Sequence, residues 1–499
     1  MRHLNEGSDI NLLVHEIITR GRSEDIAIVD GGRRITYAEA ARGVKNFRNR
    51  LYALGIRRGD RVGLFSRNSA EFIYTYLAAA SLGAICVPIN FQLSPRETAY
   101  IMRDAGIHHI LTFTPLEFDA QFSFAQHDIK TFGNKIFPDA PELPADFDEN
   151  SPCAIIYTSG TTGNPKGATL SHRNLVRNTE QITILGCRAT SKVLCVLPMY
   201  HCFGWTCCVL YALYCGAQIH VIRTFTPKEV VETIRDAGIT DFYAVPSIYR
   251  LITKIAKPAE LKTLRLAMCS GTTLPLKIAQ EFTDKFNIPI SEGYGLSEAS
   301  PIVTLTIPGQ ERTGSIGKAI PDEELTVIDG DGNTLPAGQV GELLIRGDNV
   351  MLGYWNNTAA TSATIDAQGR LHTGDVVRMD ADGYLYIVNR LKEMIISMGE
   401  NIYPREVEEL IYRFDGIKDA AVIGVDDKLR GQAGACFYVA KDGEHVDTRA
   451  LKKFLQINLA LYKVPREFYE LSEMPRTATG KISKRKILED FLASKGDSQ

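Results

Sequence analysis

Residues Tyr157–Gly167 read YTSGTTGNPKG, and the reading of the whole chain starts from them. Thr158, Ser159, Thr161 and Thr162 surround Gly160 and Gly163, and Lys166 and Gly167 close the stretch. The apolar run Ala154-Ile155-Ile156 just before it predicts a buried strand. Glycines let backbone N–H groups approach an anion, hydroxyls donate further hydrogen bonds, and the lysine supplies charge. A loop of this make-up at the end of a strand suits a polyphosphate, and therefore a nucleotide. The plainer alternative is a Gly/Ser/Thr surface turn.

The Walker loop is excluded. It needs Lys followed by Ser or Thr directly after its second glycine. Here Asn164 and Pro165 separate Gly163 from Lys166, and Gly167 follows. Pro165 also disfavours a helix starting straight after Gly163.

At 499 residues the chain exceeds one compact core, which predicts two or more domains. Hydrophobic residues at 44% and charged residues at 23% are ordinary for a globular protein. A net charge of −3 argues against nucleic acid as the main partner, since only Lys481, Lys484, Arg485 and Lys486 form a basic cluster. The ten cysteines form no CxxC pair, no His/Cys spacing suits zinc, and a reducing, cytoplasmic location is expected. The N-terminal residues lack the uninterrupted apolar stretch of a signal peptide. Between Lys192 and Arg223 there is no Asp, Glu, Lys or Arg. The apolar part, Cys202–Ala217, is too short for a confident membrane span. It reads as a buried helix followed by a buried strand over Gln218–Ile222, with a membrane-dipping segment as the alternative.

From Ile35 to about Phe113, helical patterns (Tyr37–Leu54, Ala70–Leu82) alternate with short apolar strands (Arg61–Phe65, Ala84–Pro88). This is the rhythm of a parallel sheet. It resumes with strand Ile155–Thr158, helix Asn174–Leu185, strand Val193–Leu197, helix Pro227–Ala237, and strands Asp241–Val245 and Leu264–Ser270. After about Ser315, alternating segments (Glu324–Asp329, Gly341–Arg346, Tyr384–Val388) separated by Gly/Asp turns predict antiparallel pairing. Helix Pro404–Phe414, strands Ala420–Val425 and Cys436–Ala440, and helix Thr448–Leu459 then make a small α+β unit. The boundary is placed at Arg390–Lys392, giving domains 1–390 and 391–499.

Polar islands sit where the apolar strands end: Met199-Tyr200-His201-Cys202-Phe203-Gly204-Trp205, Tyr294-Gly295-Leu296-Ser297-Glu298, His372-Thr373-Gly374-Asp375, Asn389-Arg390-Leu391-Lys392, Ser397-Met398-Gly399-Glu400-Asn401 and Pro475–Lys481. Singly, each has a bland explanation in packing, turns or a solvated tail. Jointly they supply what bound ATP requires: an aromatic face, carboxylates for ribose and Mg²⁺, and cations for phosphates.

In order and spacing these islands resemble the adenylate-forming superfamily of acyl- and aryl-CoA synthetases, peptide-synthetase adenylation domains and beetle luciferases, most of all a fatty acyl-CoA synthetase. YTSGTTGNPKG, YGLSE, GELLIRGDNVMLGYWN, HTGD, NRLKEMIISMGENIYPREVE and PRTATGK carry the resemblance from Ile35 to the GKISKRK stretch. It implies an α/β fold: a large N-terminal domain of parallel-sheet subdomains with a distorted β-barrel, and a small mobile α+β C-terminal domain. It implies a reaction in which a carboxylate attacks the α-phosphate of ATP, and a thiol then displaces AMP.

The same resemblance implies the roles. The Thr158–Lys166 loop holds the β- and γ-phosphates. Tyr294 stacks on adenine, beside Ser270, Gly271, Thr272, Glu292, Gly293, Gly295 and Ser297. Asp375 binds the ribose, assisted by Arg390. Glu298 and Thr158 hold Mg²⁺. Lys481 neutralises the adenylation transition state, Lys392 is the hinge, and Gly399 lets the pantetheine arm of coenzyme A pass. Ser297 stands where Thr is commoner, Asn389 where Asp or Gly is commoner, and Thr272-Thr273 where Gly-Ala or Ala-Pro is frequent.

The resemblance also implies that the stretch around His201, Phe203, Gly204 and Trp205, with Ser247 and Cys269 beside it, lines the acyl pocket, and that amino-acid-activating relatives carry an Asp there for the substrate ammonium; this acid-free stretch offers none. α-Amino acids are therefore excluded. A medium- or long-chain fatty acid is the expected substrate, with an aryl acid as the alternative. His201 reads as a pocket or gating residue rather than a general base, since a carboxylate needs no deprotonation at neutral pH. Trp205 is either plain core or the gate of an acyl tunnel. Coenzyme A is the expected thiol, and an acyl carrier protein the alternative acceptor. Peripheral membrane contact, a homodimer and a catalytically inactive nucleotide sensor are further readings to weigh.

Overall fold

The protein was analysed as a computed structural model, which describes residues 12–117, 123–158, 165–397, 400–427, 429–477 and 481–496. The chain packs as two units: Met1–Leu325 with Ile345–Leu371, and Thr326–Leu344 with His372–Gln499. The main passage between units falls at Leu371–His372 rather than at Arg390. The reason is that strand Leu371–Met379 pairs antiparallel with Leu385–Arg390, so this hairpin belongs with the C-terminal part of the chain.

Two large sheets build the first unit. In the seven-stranded sheet, Gly353–Tyr354, Lys166–Ser171 and Pro152–Thr158 are antiparallel neighbours. Ile85–Pro88, Arg61–Phe65, His109–Thr112 and Ala125–Asp128 continue it in parallel. The nine-stranded sheet has a parallel centre running from Ile290–Gly295 through Leu266–Cys269, Asp241–Ala244, Lys192–Cys195 and Gln218–Val221 to Ile26–Asp30. Strands Ile85–Pro88, Asp241–Ala244 and Leu266–Cys269 are buried along their whole length, as parallel strands covered on both faces must be. Helices Pro227–Ala237, Pro246–Ile255 and Leu276–Phe286 cover one face, where Phe242, Tyr249 and Phe282 meet edge to face.

Local chemistry sets the helix starts. Thr36 accepts from the Glu39 N–H, and Glu39 returns a bond to the Thr36 N–H, which opens helix Tyr37–Ala53. Ser171 and Asn174 make the same reciprocal pair, so strand Lys166–Ser171 turns directly into helix His172–Gln181. The expected helix within Cys202–Ala217 is present, but it runs as a π-helix over Gly204–Leu210 before becoming α-helical over Tyr211–Tyr214. Among the described residues no helix is long and apolar enough to cross a membrane.

Most of a four-stranded sheet, in the order Glu324–Ile328, Val340–Arg346, Leu371–Met379, Leu385–Arg390, belongs to the second unit. The α+β portion carries a five-stranded sheet whose central strand is Gly431–Ala440, paired along its length with the edge strand Ile417–Asp427. Alternation along it serves two cores. Ala420, Val422, Cys436 and Tyr438 meet Val407, Ile411, Leu451 and Leu455 of helices Pro404–Ile411 and Thr448–Asn458. Ala421, Ile423, Ala435 and Phe437 meet Ile487 and Phe491 of helix Lys484–Gly496.

Candidate functional site

The glycine loop connects two antiparallel strands. Thr158 ends one and Lys166 begins the other, paired across the ladder. Ser159, Gly160, Thr161, Thr162 and Gly163 between them lie outside the described residues, as does Gly399. Strand Lys166–Ser171 was not expected from sequence, because Thr169 and Ser171 interrupt its apolar pattern. Its pairing fixes Lys166 against strand Gly353–Tyr354, with the Lys166 ammonium 5.1 Å from the centre of the Tyr354 ring.

Tyr354 is the residue that sequence reasoning missed. Its hydroxyl donates to Glu298 Oε1 at 2.8 Å. Burial, then the Glu298 charge, holds the phenol well above its ordinary pKa, so it remains a donor. The backbone repeats the link, since Met351 N–H donates to the Glu298 carbonyl at 2.9 Å. Thus one ring bridges the lysine of the glycine loop and the carboxylate of YGLSE. The GDNVMLGYWN stretch carried the signal, but nothing in it says that it returns to Glu298. One Glu298 oxygen is engaged by Tyr354, and the carboxylate is a hard oxygen donor suited to Mg²⁺.

Helix His172–Gln181 sets this geometry. Asn174 and Asn178 lie one turn apart on one buried face. Asn174 Nδ2 donates to the carbonyls of Asp348 and Val350 at 2.7 and 2.9 Å. Asn178 binds both the carbonyl and the N–H of Ile302, at 2.6 and 3.0 Å. The Asp348–Val350 loop and the start of strand Ile302–Leu305, both distant in sequence, are thereby anchored to one helix.

The residues expected beside adenine lie on two neighbouring strands. Cys269 and Glu292 are register partners on adjacent parallel strands, so Ser270, Gly271 and Thr272 leave one strand beside Glu292, Gly293 and Tyr294 on the next. Tyr294 is buried. Gly295 is required locally, because a side chain there would collide with the Pro301 carbonyl. Ser297 Oγ lies 3.2 Å from Cys202 Sγ, and Thr206 donates to the Ser300 carbonyl at 3.0 Å. These contacts join YGLSE to the His201 segment.

Buried Asn68 orders that segment by binding the Leu197 and Ile222 carbonyls and accepting from Met199 N–H. His201 Nδ1 accepts from the Phe203 N–H at 3.2 Å, which leaves it poorly placed as a general base through that nitrogen. Phe203 is buried, and Gly204 is glycine because a Cβ would strike the Pro198 carbonyl. The other three residues expected at the pocket have different surroundings. Trp205 is 2% exposed, stacked on Tyr76 with ring centres 4.0 Å apart and tilted against Phe72, so it is core. Cys269 belongs to the apolar cluster of Phe242 and Tyr249, where burial pushes its thiol up. Ser247 is exposed near the start of helix Pro246–Ile255.

In the second unit Asp375 and Arg390 face each other across antiparallel strands, with Nε 2.9 Å from Oδ1. Asp375 is 4% exposed. The turn before it is held by Glu342, which meets His372 Nδ1 at 3.1 Å and accepts from the Gly374 N–H at 3.1 Å. Thr373 donates to the Leu343 carbonyl at 2.7 Å. Lys392 sits in the single turn Leu391–Glu393. Lys481 is exposed, and its backbone is clasped by Thr477 at 2.7 and 3.2 Å.

The sequence matches the AMP-binding enzyme family over residues 16–355 and the AMP-binding enzyme C-terminal domain over residues 406–481. It is 33% identical over 474 residues to a feruloyl-CoA synthase of Amycolatopsis sp, covering 93% of this chain and 96% of that protein. It is 31% identical over 514 residues to a long-chain-fatty-acid–CoA ligase of Bacillus subtilis, covering 92% and 90%. Among solved structures, the fold is similar to an anthranilate CoA ligase in complex with anthranoyl-AMP, with TM-score 0.89, 27% identity and coverage of 97% and 98%. It is also similar to the o-succinylbenzoate coenzyme A synthetase of Bacillus subtilis in complex with ATP and magnesium ion, with TM-score 0.84, 26% identity and coverage of 95% and 98%.

Proposed function

The chain belongs to the AMP-binding enzyme family, and from that premise we propose that it is an aromatic-acid–coenzyme A ligase. Its general chemistry is that of the family. With ATP and Mg²⁺ it activates a carboxylic acid as an acyl-adenylate, and coenzyme A takes the acyl group as a thioester.

The observation that carries the aromatic reading is the recurrence of ring-bearing acids (feruloyl, anthranoyl, o-succinylbenzoyl) among the relatives. The expectation of a fatty acid gives way to it. The apolar, acid-free stretch around Phe203 suits a ring as well as an alkyl chain. Trp205, whose alternatives were plain core and a tunnel gate, is packed against Tyr76 and Phe72.

In this reading a carboxylate oxygen of the acid attacks the α-phosphorus, the bond to the β-phosphate oxygen breaks, and pyrophosphate leaves. Lys166 and the hydroxyls from Thr158 onward hold the departing phosphates. Lys481 neutralises charge that grows on the α-phosphate oxygens. Glu298, kept in place by Tyr354, presents a carboxylate to Mg²⁺. Tyr294 provides the adenine face, and Asp375 accepts from the ribose hydroxyls. Lys392 is the point about which Lys481 is withdrawn before the thiol step.

The test is a panel of aromatic, dicarboxylic and fatty acids with ATP and coenzyme A, scored by thioester product. The highest kcat/KM is expected with an aromatic acid. Thioester from fatty acids alone overturns the aromatic reading. Pyrophosphate exchange without thioester turns the assignment to a carrier-protein acceptor, and no exchange with any acid leaves the nucleotide-sensor reading.

A further inference from the structure

Lys484 is the first residue of helix Lys484–Gly496, where a positive charge opposes the helix dipole. It is nonetheless three-quarters buried, with 22% of its side chain exposed. Its Nζ lies 2.8 Å from Glu393 Oε2 and 2.9 Å from Glu408 Oε1. Burial works against the charge of Lys484, but the two carboxylates overcome it and hold the ammonium above its ordinary pKa. Glu408 is itself fixed, since the same Oε1 accepts from the Val422 N–H at 2.7 Å. The three groups come from three places: the turn Leu391–Glu393, helix Pro404–Ile411 and the foot of the helix that follows Lys481.

The Lys481 loop is pinned at both ends. At its start Arg476 pairs with Asp419 at 2.8 Å, and Arg476 also bridges Ile482. At its end the Ser483 N–H donates to the Pro475 carbonyl at 2.8 Å, and Lys484 follows. Glu393 is the next residue after Lys392. A single ion triad therefore connects the residue beside the hinge to the residue three positions beyond the lysine placed at the α-phosphate.

We propose that Lys484 is a positioning residue: through Glu393 and Glu408 it fixes the foot of the Lys481 loop to the segment after Lys392, so that this segment and Lys481 move as one piece. The proposal rests on the functional reading in which Lys481 acts in adenylation. Its consequence is selective. Loosening the triad misplaces Lys481, which costs adenylation, while the thiol step does not use that lysine.

The test compares Lys484→Met, Lys484→Arg and Glu393→Gln with wild type, using an aromatic acid that wild type accepts. Adenylation is read by ATP–pyrophosphate exchange, and the thiol step by thioester formed from supplied acyl-adenylate and coenzyme A. Lys484→Met is expected to lower exchange kcat roughly tenfold to a hundredfold, the scale of an ångström-sized misplacement. Its KM for ATP and its thiol step stay within about twofold of wild type, and Lys484→Arg restores most of the exchange. The retained thiol step shows that Lys484→Met is folded. Should it fail to fold, Glu393→Gln, which keeps the Glu408 partner, is expected to give the same selective loss. Unchanged exchange in both Lys484→Met and Glu393→Gln, or equal loss of both half-reactions, overturns the proposal. Failure of Lys481→Ala to impair exchange, or no exchange by wild type, overturns the functional reading and the proposal with it.

Discussion

The hydroxyl of Tyr354 donates to Oε1 of Glu298 at 2.8 Å, across 56 residues of sequence. Glu298 is thus oriented by a side chain far from it in sequence. Removing the hydroxyl in Tyr354→Phe preserves the ring beside Lys166 and deletes this bond together with the hydroxyl's contact to the Thr364 side chain. A hydrogen bond to a charged group contributes about 1.5 kcal/mol or more, so adenylation kcat is expected to fall roughly tenfold. The measurement is pyrophosphate exchange against Mg²⁺ concentration. Wild-type exchange by Tyr354→Phe contradicts the assignment.

Glu323 has both carboxyl oxygens buried without a hydrogen-bond partner among the described residues, and buried Asn349 Oδ1 is likewise without one. Burial pushes Glu323 up to about 8, with the Asp348 charge adding to it and the Asn349 side chain opposing it. Because the folded pKa lies above the unfolded one, this contribution to stability is full below about pH 4.5 and is lost as pH rises through about 8. Glu323→Gln cannot ionise. Its thermal stability relative to wild type is expected to grow between pH 5 and pH 9, by an amount on the order of a few kcal/mol at most. Parallel stability curves for the two proteins contradict this.

His172 shows the opposite sign. Burial, helped by the neighbouring His15, lowers its pKa from 6.5 to about 3, and Nδ1 accepts from the Val14 N–H at 3.1 Å. A depressed folded pKa gives stability that is present above pH 6.5 and lost as pH falls toward 3. His15, lowered to about 4, acts in the same direction. His172→Gln is expected to be less stable at pH 7 but to lose stability less steeply between pH 6.5 and 4. An unchanged acid slope in urea unfolding at several pH values refutes this.

Trp205 is fully enclosed, and its ring stacks on Tyr76. Trp205→Ala is expected to cost about 3–5 kcal/mol in chemical unfolding, as large-to-small changes in a packed core do. The ranking of acids by the folded enzyme is expected to stay the same. A shift in acid preference with little loss of stability supports the gate reading instead.

Much of this architecture was legible in the residues themselves. Strand Arg61–Phe65 and helix Pro227–Ala237 fall where their patterns place them, because caps and apolar runs are local signals. The polar islands YGLSE and HTGD were legible because polar residues at the ends of buried strands demand an explanation. The contacts that orient them were not. Tyr354 reaches Glu298, Glu342 holds the turn before Asp375, and Asn174 and Asn178 tie down backbone far along the chain. Each depends on how elements distant in sequence come together, which no window of sequence contains. Which of the two readings of Trp205 applies was not legible for a related reason. Its spacing from His201 is helical, but which face meets Tyr76 is decided by the packing of helix Ala70–Ser81.

The central claim is that a carboxylate attacks the α-phosphorus of ATP. Its most direct test is a single-turnover reaction with an acid labelled with ¹⁸O in both carboxyl oxygens, followed by mass spectrometry of the nucleotide product. The account predicts AMP carrying one ¹⁸O, with unlabelled pyrophosphate. Unlabelled AMP, or ADP with label in inorganic phosphate, contradicts it.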